Sequence, residues 1–413
     1  MMDYELWELP NGIRVVHRQV TNTKIAHCAL MLDIGSRDEG PHQQGIAHFW
    51  EHMAFKGTHR RKAFHIINRL ESLGGELNAY TTKEKICFYA TVLDNHLDKA
   101  VELLTDITFN SVFPDTQINK ERQVILEEMS MYADSPEDAI QDHFDGLVFK
   151  DHQLGNNILG TADSVKSFTQ RDFLDFVSEN LDTNRMVLSS VGNYSLKKLK
   201  KIVEKNLGEL ASIRSTRKRL QVNGYTPQFD HANRDISQAH VAIGCRAFNI
   251  YSDQKVPFFV LNNILGGNAM NSRLNLTLRE NHGMVYNIDS SFQAFTDTGL
   301  FSIFYATEQT NLDKSLNLVR KEIKKLAEME LGSKQLQTAK NQIMGQLAMS
   351  EENNQNFMLM MAKSILDHGM IEGLDVVFEK VDKVSRSQLR QMANEHLNFD
   401  DMSILKYLPT VSN

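Results

Sequence analysis

Hydrophobic periodicity divides the first half of the chain into short alternating runs and longer helical ones. Residues 4–9 and 13–18 alternate around Pro10-Asn11-Gly12, a turn signal between two β-prone runs, and predict a hairpin. An apolar run at 25–34, ending near Gly35, predicts a strand. The period becomes helical at 43–55 and again at 63–73, where Gly74-Gly75 stops it. Residues 76–93 read as strands, 97–110 and 118–132 as helices, 186–192 as a buried strand, and 196–207 as a lysine-rich helix.

Fragments of this pattern recur. Phe88-Tyr89-Ala90-Thr91 returns 216 positions on as Phe304-Tyr305-Ala306-Thr307, and the following Leu97 returns 215 positions on as Leu312. Ala26-His27 returns after 213 positions as Ala239-His240. A near-constant offset of half the chain predicts duplication into two α/β domains of roughly 200 residues each. The boundaries fall at 1–211 and 231–413, with a linker at 212–230. Arg214, Arg217, Lys218 and Arg219 make that linker read as a solvated charge run.

The helical stretch 43–55 holds the most specific chemistry. His48 and His52 are one helical turn apart and share a face, with Glu51 beside them. Two neutral imidazoles in that spacing can take two corners of a tetrahedral zinc site, and the carboxylate is placed to handle the proton of a water. With 15 His and 52 acidic residues in 413, chance supplies about 0.07 such His-x-x-acid-His strings. A zinc site of this kind needs a third protein ligand. In the 118–132 helix, Glu121 and Glu128 lie seven residues apart, about 20° from one another around the axis. Val124, Ile125 and Met131 read as part of the same face, which predicts an apolar stripe where a lone carboxylate is costly. A metal at Glu128 removes that cost, and so does a buried Arg or Lys; Glu127 points to solvent.

These residues resemble the pitrilysin/insulinase family of zinc metallopeptidases, nearest its processing-peptidase-like bacterial branch. The family's inverted H-x-x-E-H motif and its E-R-x-V-I-x-E-E segment match His48 to His52 and Glu121 to Glu128, with Glu128 placed 76 positions after His52. Further matches include Gly74-Gly75-Glu76-Leu77-Asn78-Ala79-Tyr80-Thr81, Leu159-Gly160-Thr161 and the Arg279-to-Tyr286 segment. The resemblance implies one Zn²⁺ per chain on His48, His52 and Glu128, Glu51 as the base, and Glu121 in support. It implies substrate contacts at Asn78, Ala79 and Tyr80 along a strand edge, and at Arg279 and Tyr286 in the second domain. The fold it implies is α/β (α+β): two homologous domains, each a mostly antiparallel sheet covered by helices, facing each other as a clamshell that encloses extended, unfolded peptides. At the 213 offset the motif falls on Leu261, Ile264 and Leu265, so the second copy lacks the metal set. The competing expectation is a non-catalytic or partner-dependent subunit of a processing-peptidase-like complex, and a homodimer is what the bacterial branch implies.

Composition narrows this only at the edges. The 45 basic and 52 acidic residues give a net charge of −7, which disfavours a nucleic-acid partner. No run of 18 apolar residues predicts a membrane span, and the first residues carry neither the basic nor the apolar region of a secretory leader. Cys28, Cys87 and Cys245 are too few and too scattered for a disulfide framework or a CxxC metal site, and a cytoplasmic protein is expected.

Overall fold

A computed structural model describes residues 4–410. It contains two sheets. The first is built from β1 (Glu5–Glu8), β2 (Arg14–Gln19), β3 (Ile25–Leu32), β4 (Glu76–Thr81), β5 (Ile86–Leu93) and β6 (Met186–Gly192) in the order β1-β2-β6-β3-β5-β4. The second comprises β7 (Phe229–Arg234), β8 (Ala239–Ala247), β9 (Ile288–Ala294), β10 (Gly299–Thr307) and β11 (Ser403–Pro409) in the order β7-β11-β8-β10-β9. In each sheet one pair is parallel, β2 with β6 and β7 with β11, and the others are antiparallel. Apart from β1, the two orders are the same, which bears out the duplicated mixed α/β fold.

The correspondence is shifted from the one the sequence fragments suggest. Leu30 faces Phe88 in the first sheet, and the residue 213 positions after Leu30, Ile243, faces Ile303. Phe88 is therefore matched by Ile303, at an offset of 215, and Phe304 is matched by Tyr89. A slip of one residue turns a strand's side chains to the opposite face. Phe88 does lie in the core beneath the first domain's helices, whereas Phe304 packs on the other side of its sheet.

Each sheet is covered on both faces. One face of the first packs against the helices Ile46–Ala54 and Leu97–Phe109 through residues such as Cys28, Leu30, Phe88 and Trp50. Its other face, with Ala29, Met31, Cys87 and Val187, is covered by Phe357, Met358, Met361 and Ile365 of the Asn354–His368 helix. The second sheet is covered likewise by Ile140, Phe144 and Val148 of the Pro136–Val148 helix, against Ala242, Leu300 and Leu405. The two compact units are consequently discontinuous. One gathers Met1–Ser130, Asn156–Arg219 and Met349–Ile371; the other gathers Met131–Gly155, Leu220–Ala348 and Glu372–Asn413. Contiguous blocks at 1–211 and 231–413 leave out this exchange of one helix each way, which short-range periodicity does not encode.

The charge run at 214–219 is only partly solvated. From 213 to 219 the chain alternates inward and outward, with Arg217 and Arg219 turned in and Lys218 turned out. Arg219 binds both Asp33 and Asp38 at 2.9 Å, and Arg217 reaches Asp38 at 2.9 Å. Nearby, Arg37 pairs with Glu84 at 2.6 Å. The Asp38 side chain is fully covered, so these arginines neutralise buried carboxylates and tie the segment to the first unit.

Candidate metal centre

The Ile46–Ala54 helix is apolar around most of its girth. Ile46, Ala47, Phe49, Trp50, Met53 and Ala54 are buried, leaving His48, Glu51 and His52 as its one polar stripe. Its first residue follows Gly45, which has φ +93. A Cβ there would come within 2.4 Å of the Leu159 carbonyl oxygen, so glycine is required both by the left-handed backbone and by the close pass of 159–160. The buried Glu39 carboxylate accepts the Gly45 and Ala47 amides, each at 2.9 Å, and so satisfies donors that a helix start leaves open.

The Asp115–Asp134 helix brings the third group. Glu121, Ile125 and Glu128 follow one another at i, i+4 and i+7 toward the first helix. Val124 and Met131, expected on an apolar stripe with Glu128, are instead 50% and 60% exposed. Glu128 is itself partly exposed, so what singles it out is its company. Its two carboxylate oxygens lie 3.7 Å from His48 Nε2 and 3.5 Å from His52 Nε2. Among the described residues, His48, His52 and Glu128 form the one group of at least three His, Cys, Asp or Glu side chains whose donor atoms converge, all within 4.8 Å of one another. A tetrahedral ion with ligand bonds near 2.1 Å sets its donors about 3.4 Å apart, so this set fits zinc. Burial, and after it the neighbouring His52, pushes His48 down to about 3, which keeps it as the neutral imidazole that metals bind.

Glu121 lies one step back. Its Oε1 is 3.1 Å from His52 Nδ1, and its Oε2 accepts Lys56 Nζ at 2.7 Å. The His52 ring is thereby held with Nε2 toward Glu128. Burial opposes ionisation of Glu121, but the His52 and Lys56 contacts outweigh it and hold the carboxyl below its usual range. Glu51 accepts the Thr81 hydroxyl at 2.6 Å. Burial and the nearby Glu128 push the Glu51 carboxyl upward, against the pull of Thr81 and His52.

Thr81 ends β4, the strand at the edge of its sheet. Asn78, Ala79 and Tyr80 precede it on the same strand. Asn78 is exposed, Ala79 packs toward the helix-covered core, and the Tyr80 ring lies 6.2 Å from that of Tyr89. In the second unit Arg279 stands over the Tyr286 ring at 5.7 Å, and Tyr286 is 89% exposed. Sequence reasoning missed Thr81 and Glu39 as members of the site. Thr81 closes the quoted glycine-to-threonine match but no spacing ties it to Glu51, and Glu39 lies in a loop without periodicity.

Residues 14–162 match the family model described as insulinase (peptidase family M16), and residues 167–343 match that of the peptidase M16 inactive domain. The chain belongs to the M16 peptidase family. Among M16 relatives, an uncharacterized zinc protease of Mycobacterium leprae is 31% identical over 395 residues, covering 94% of this chain and 88% of the relative. One from Bacillus subtilis is 30% identical over 385 residues, covering 93% of each. The crystal structure of a peptidase M16 inactive domain from Pseudomonas fluorescens superposes with a TM-score of 0.92 at 19% identity, over 100% of this chain and 99% of that one. A protease from Helicobacter pylori gives 0.90 at 20% identity, over 98% and 99%. At those identities the likeness speaks for the fold. The inactive-domain match agrees with Leu261, Ile264 and Leu265 standing where a second metal motif would fall. No described helix is long and apolar enough to cross a membrane.

Proposed function

We propose that this M16 protein is a zinc-dependent endopeptidase that hydrolyses extended, unfolded peptides. The observation that carries the reading is the convergence of His48, His52 and Glu128, with the Glu51 carboxylate on the same helical stripe. The three ligand side chains hold one Zn²⁺. When bound, the ion supplies Lewis acidity toward the scissile carbonyl and the attacking water. Glu51 accepts the proton of that water and passes it to the departing amine; its upward-shifted pKa brings it closer to the range where both transfers are easy. Thr81 fixes which way the Glu51 carboxylate faces. Glu121 fixes the tautomer and ring plane of His52.

The substrate adds to the free edge of β4 as a further strand, along Asn78, Ala79 and Tyr80, where main-chain pairing binds a peptide with little demand on its sequence. Thr81, on the same strand, ties that edge to Glu51, so docking and chemistry share one scaffold. In the second unit, Arg279 and Tyr286 are assigned to substrate contact, and the tyrosine ring is 89% exposed.

The test is a zinc determination and a fluorogenic-peptide assay on the purified chain, beside Glu51→Gln. The expected result is a metal-loaded parent that cleaves, and a variant that keeps its zinc but loses about 10³-fold or more in kcat. A zinc-loaded parent without turnover would point to a non-catalytic subunit instead.

A further inference from the structure

The second unit contains a cavity of about 330 Å³ on the sheet face that carries the Pro136–Val148 helix. Glu137, His240, Asp289, Phe304 and Tyr286 line it. Among the described residues, neither the Glu137 nor the Asp289 carboxylate has a hydrogen bond or ion pair. His240 is 9% exposed, and among the described residues its ring has no hydrogen-bond partner either. Burial and then the Glu137 charge push Asp289 upward, the mark of two like charges facing a common space with no cation between them.

The duplication supplies a control within the same molecule. With the register corrected, Asp289 faces Phe304 as Asn78 faces Tyr89. His240 faces Ala306 as His27 faces Thr91. Glu137 is the second residue of its helix, as Gln355 is of the Asn354–His368 helix. In the first unit the set is neutral, and two of its members meet a hydroxyl: that of Thr91 lies 3.0 Å from His27 Nδ1 and 3.4 Å from Gln355 Oε1. In the second, both amides are replaced by carboxylates, and the hydroxyl that would occupy the histidine is gone.

We propose that this cavity is a binding site for the arginine or lysine side chain of a peptide. The proposal rests on the peptidase reading for its ligand's source. The space is about ten times the share of one water, too roomy for a bare ion, and its acidic groups do not converge as His48, His52 and Glu128 do. A long aliphatic stem can lie along Phe304 while its charged head meets Glu137 and Asp289. Asp289 lies on β9, the edge strand matching β4, so a peptide paired there would present alternate side chains to the cavity.

The experiment measures binding, not turnover, on the full-length Glu51→Gln chain. An N-acetylated, C-amidated peptide with one arginine is compared with the same peptide carrying citrulline. The expected result is a preference of about tenfold for arginine, lost in Glu137→Gln/Asp289→Asn, which restores the first unit's neutral pair. Thermal melting of each variant checks that it is folded. Equal affinity for the two peptides, or a preference that survives the double substitution, overturns the assignment. A citrulline peptide with a free amino terminus that binds as well as the arginine peptide overturns it too, since the site would then read a terminal ammonium. Absence of hydrolysis by the parent chain bears on the peptidase reading alone.

Discussion

The Thr81 hydroxyl donates to Glu51 at 2.6 Å, linking the last residue of an edge strand to the carboxylate of the metal motif. A hydrogen bond to a charged acceptor is worth about 1.5–3 kcal/mol. Thr81→Val is expected to lower kcat by about tenfold or more with zinc content unchanged. The bond favours the ionised carboxylate, so its loss raises the Glu51 pKa further. Activity requires ionised Glu51 and falls as pH drops through its pKa; the acid limb of kcat/KM therefore moves to higher pH in the variant. A limb that stays put, or moves down, would dissociate Thr81 from the base.

Glu121 holds His52 from behind at Nδ1. Partners of this kind typically change metal affinity by about 10–100-fold when removed. Glu121→Ala is expected to release zinc to a chelator at correspondingly lower concentration, while Glu128→Gln, which takes away a direct ligand, should release it more readily still. Competition with a colorimetric chelator measures both, and the reverse ranking would exchange the two roles.

Glu39 contributes to stability rather than to chemistry. Glu39→Ala strands two buried amides, Gly45 and Ala47, at a cost of about 1–3 kcal/mol each. Glu39→Gln retains a carbonyl for one of them and should lose about half as much. Urea midpoints at neutral pH give the comparison; equal loss in both variants would mean that the charge, not the acceptor count, matters.

Acid should loosen the first unit through Asp33. Burial raises its pKa, but Arg219, Arg185, Lys85 and Arg217 together bring it below the ordinary 3.8. A carboxyl depressed on folding adds stability above its unfolded pKa and surrenders it as pH falls through the folded value. The stabilisation is thus complete at neutral pH and fades below about pH 4. Asp33→Asn is expected to lower the urea midpoint at pH 7 and to flatten its fall between pH 5 and 3, as measured by urea titrations across that window.

What the sequence made legible followed from local geometry. His48, Glu51 and His52 needed only helical periodicity, and Glu121 and Glu128 only the seven-residue spacing that returns to one face. Glu128 does stand beside His48 and His52, but not on the buried stripe that amphipathicity suggested, since Val124 and Met131 meet solvent. Duplication could be read from short matches, yet strand register could not. Phe88 and Phe304 share a letter and stand on opposite faces, since hydrophobic residues satisfy both sides of a sheet covered twice. Arg217 and Arg219 read as surface charge because their partners, Asp33 and Asp38, lie about 180 positions away in the chain. Glu39 and Thr81 escaped notice for a different reason: no periodicity or motif spacing ties a loop carboxylate six residues before Gly45, or a strand-end hydroxyl, to the motif helix.

The reciprocal loan of the Pro136–Val148 and Asn354–His368 helices makes the polypeptide indivisible. Cut at the boundary its repeats suggest, it would yield two fragments, each with one bare apolar sheet face and one orphaned amphipathic segment. Neither sheet is finished until the ribosome has delivered nearly everything, since the cover for the first arrives more than 160 residues after β6. Such long-range closure slows folding and prolongs exposure of sticky surface. Recombinant work on isolated halves would therefore meet aggregation before it met chemistry, unless both pieces were made together.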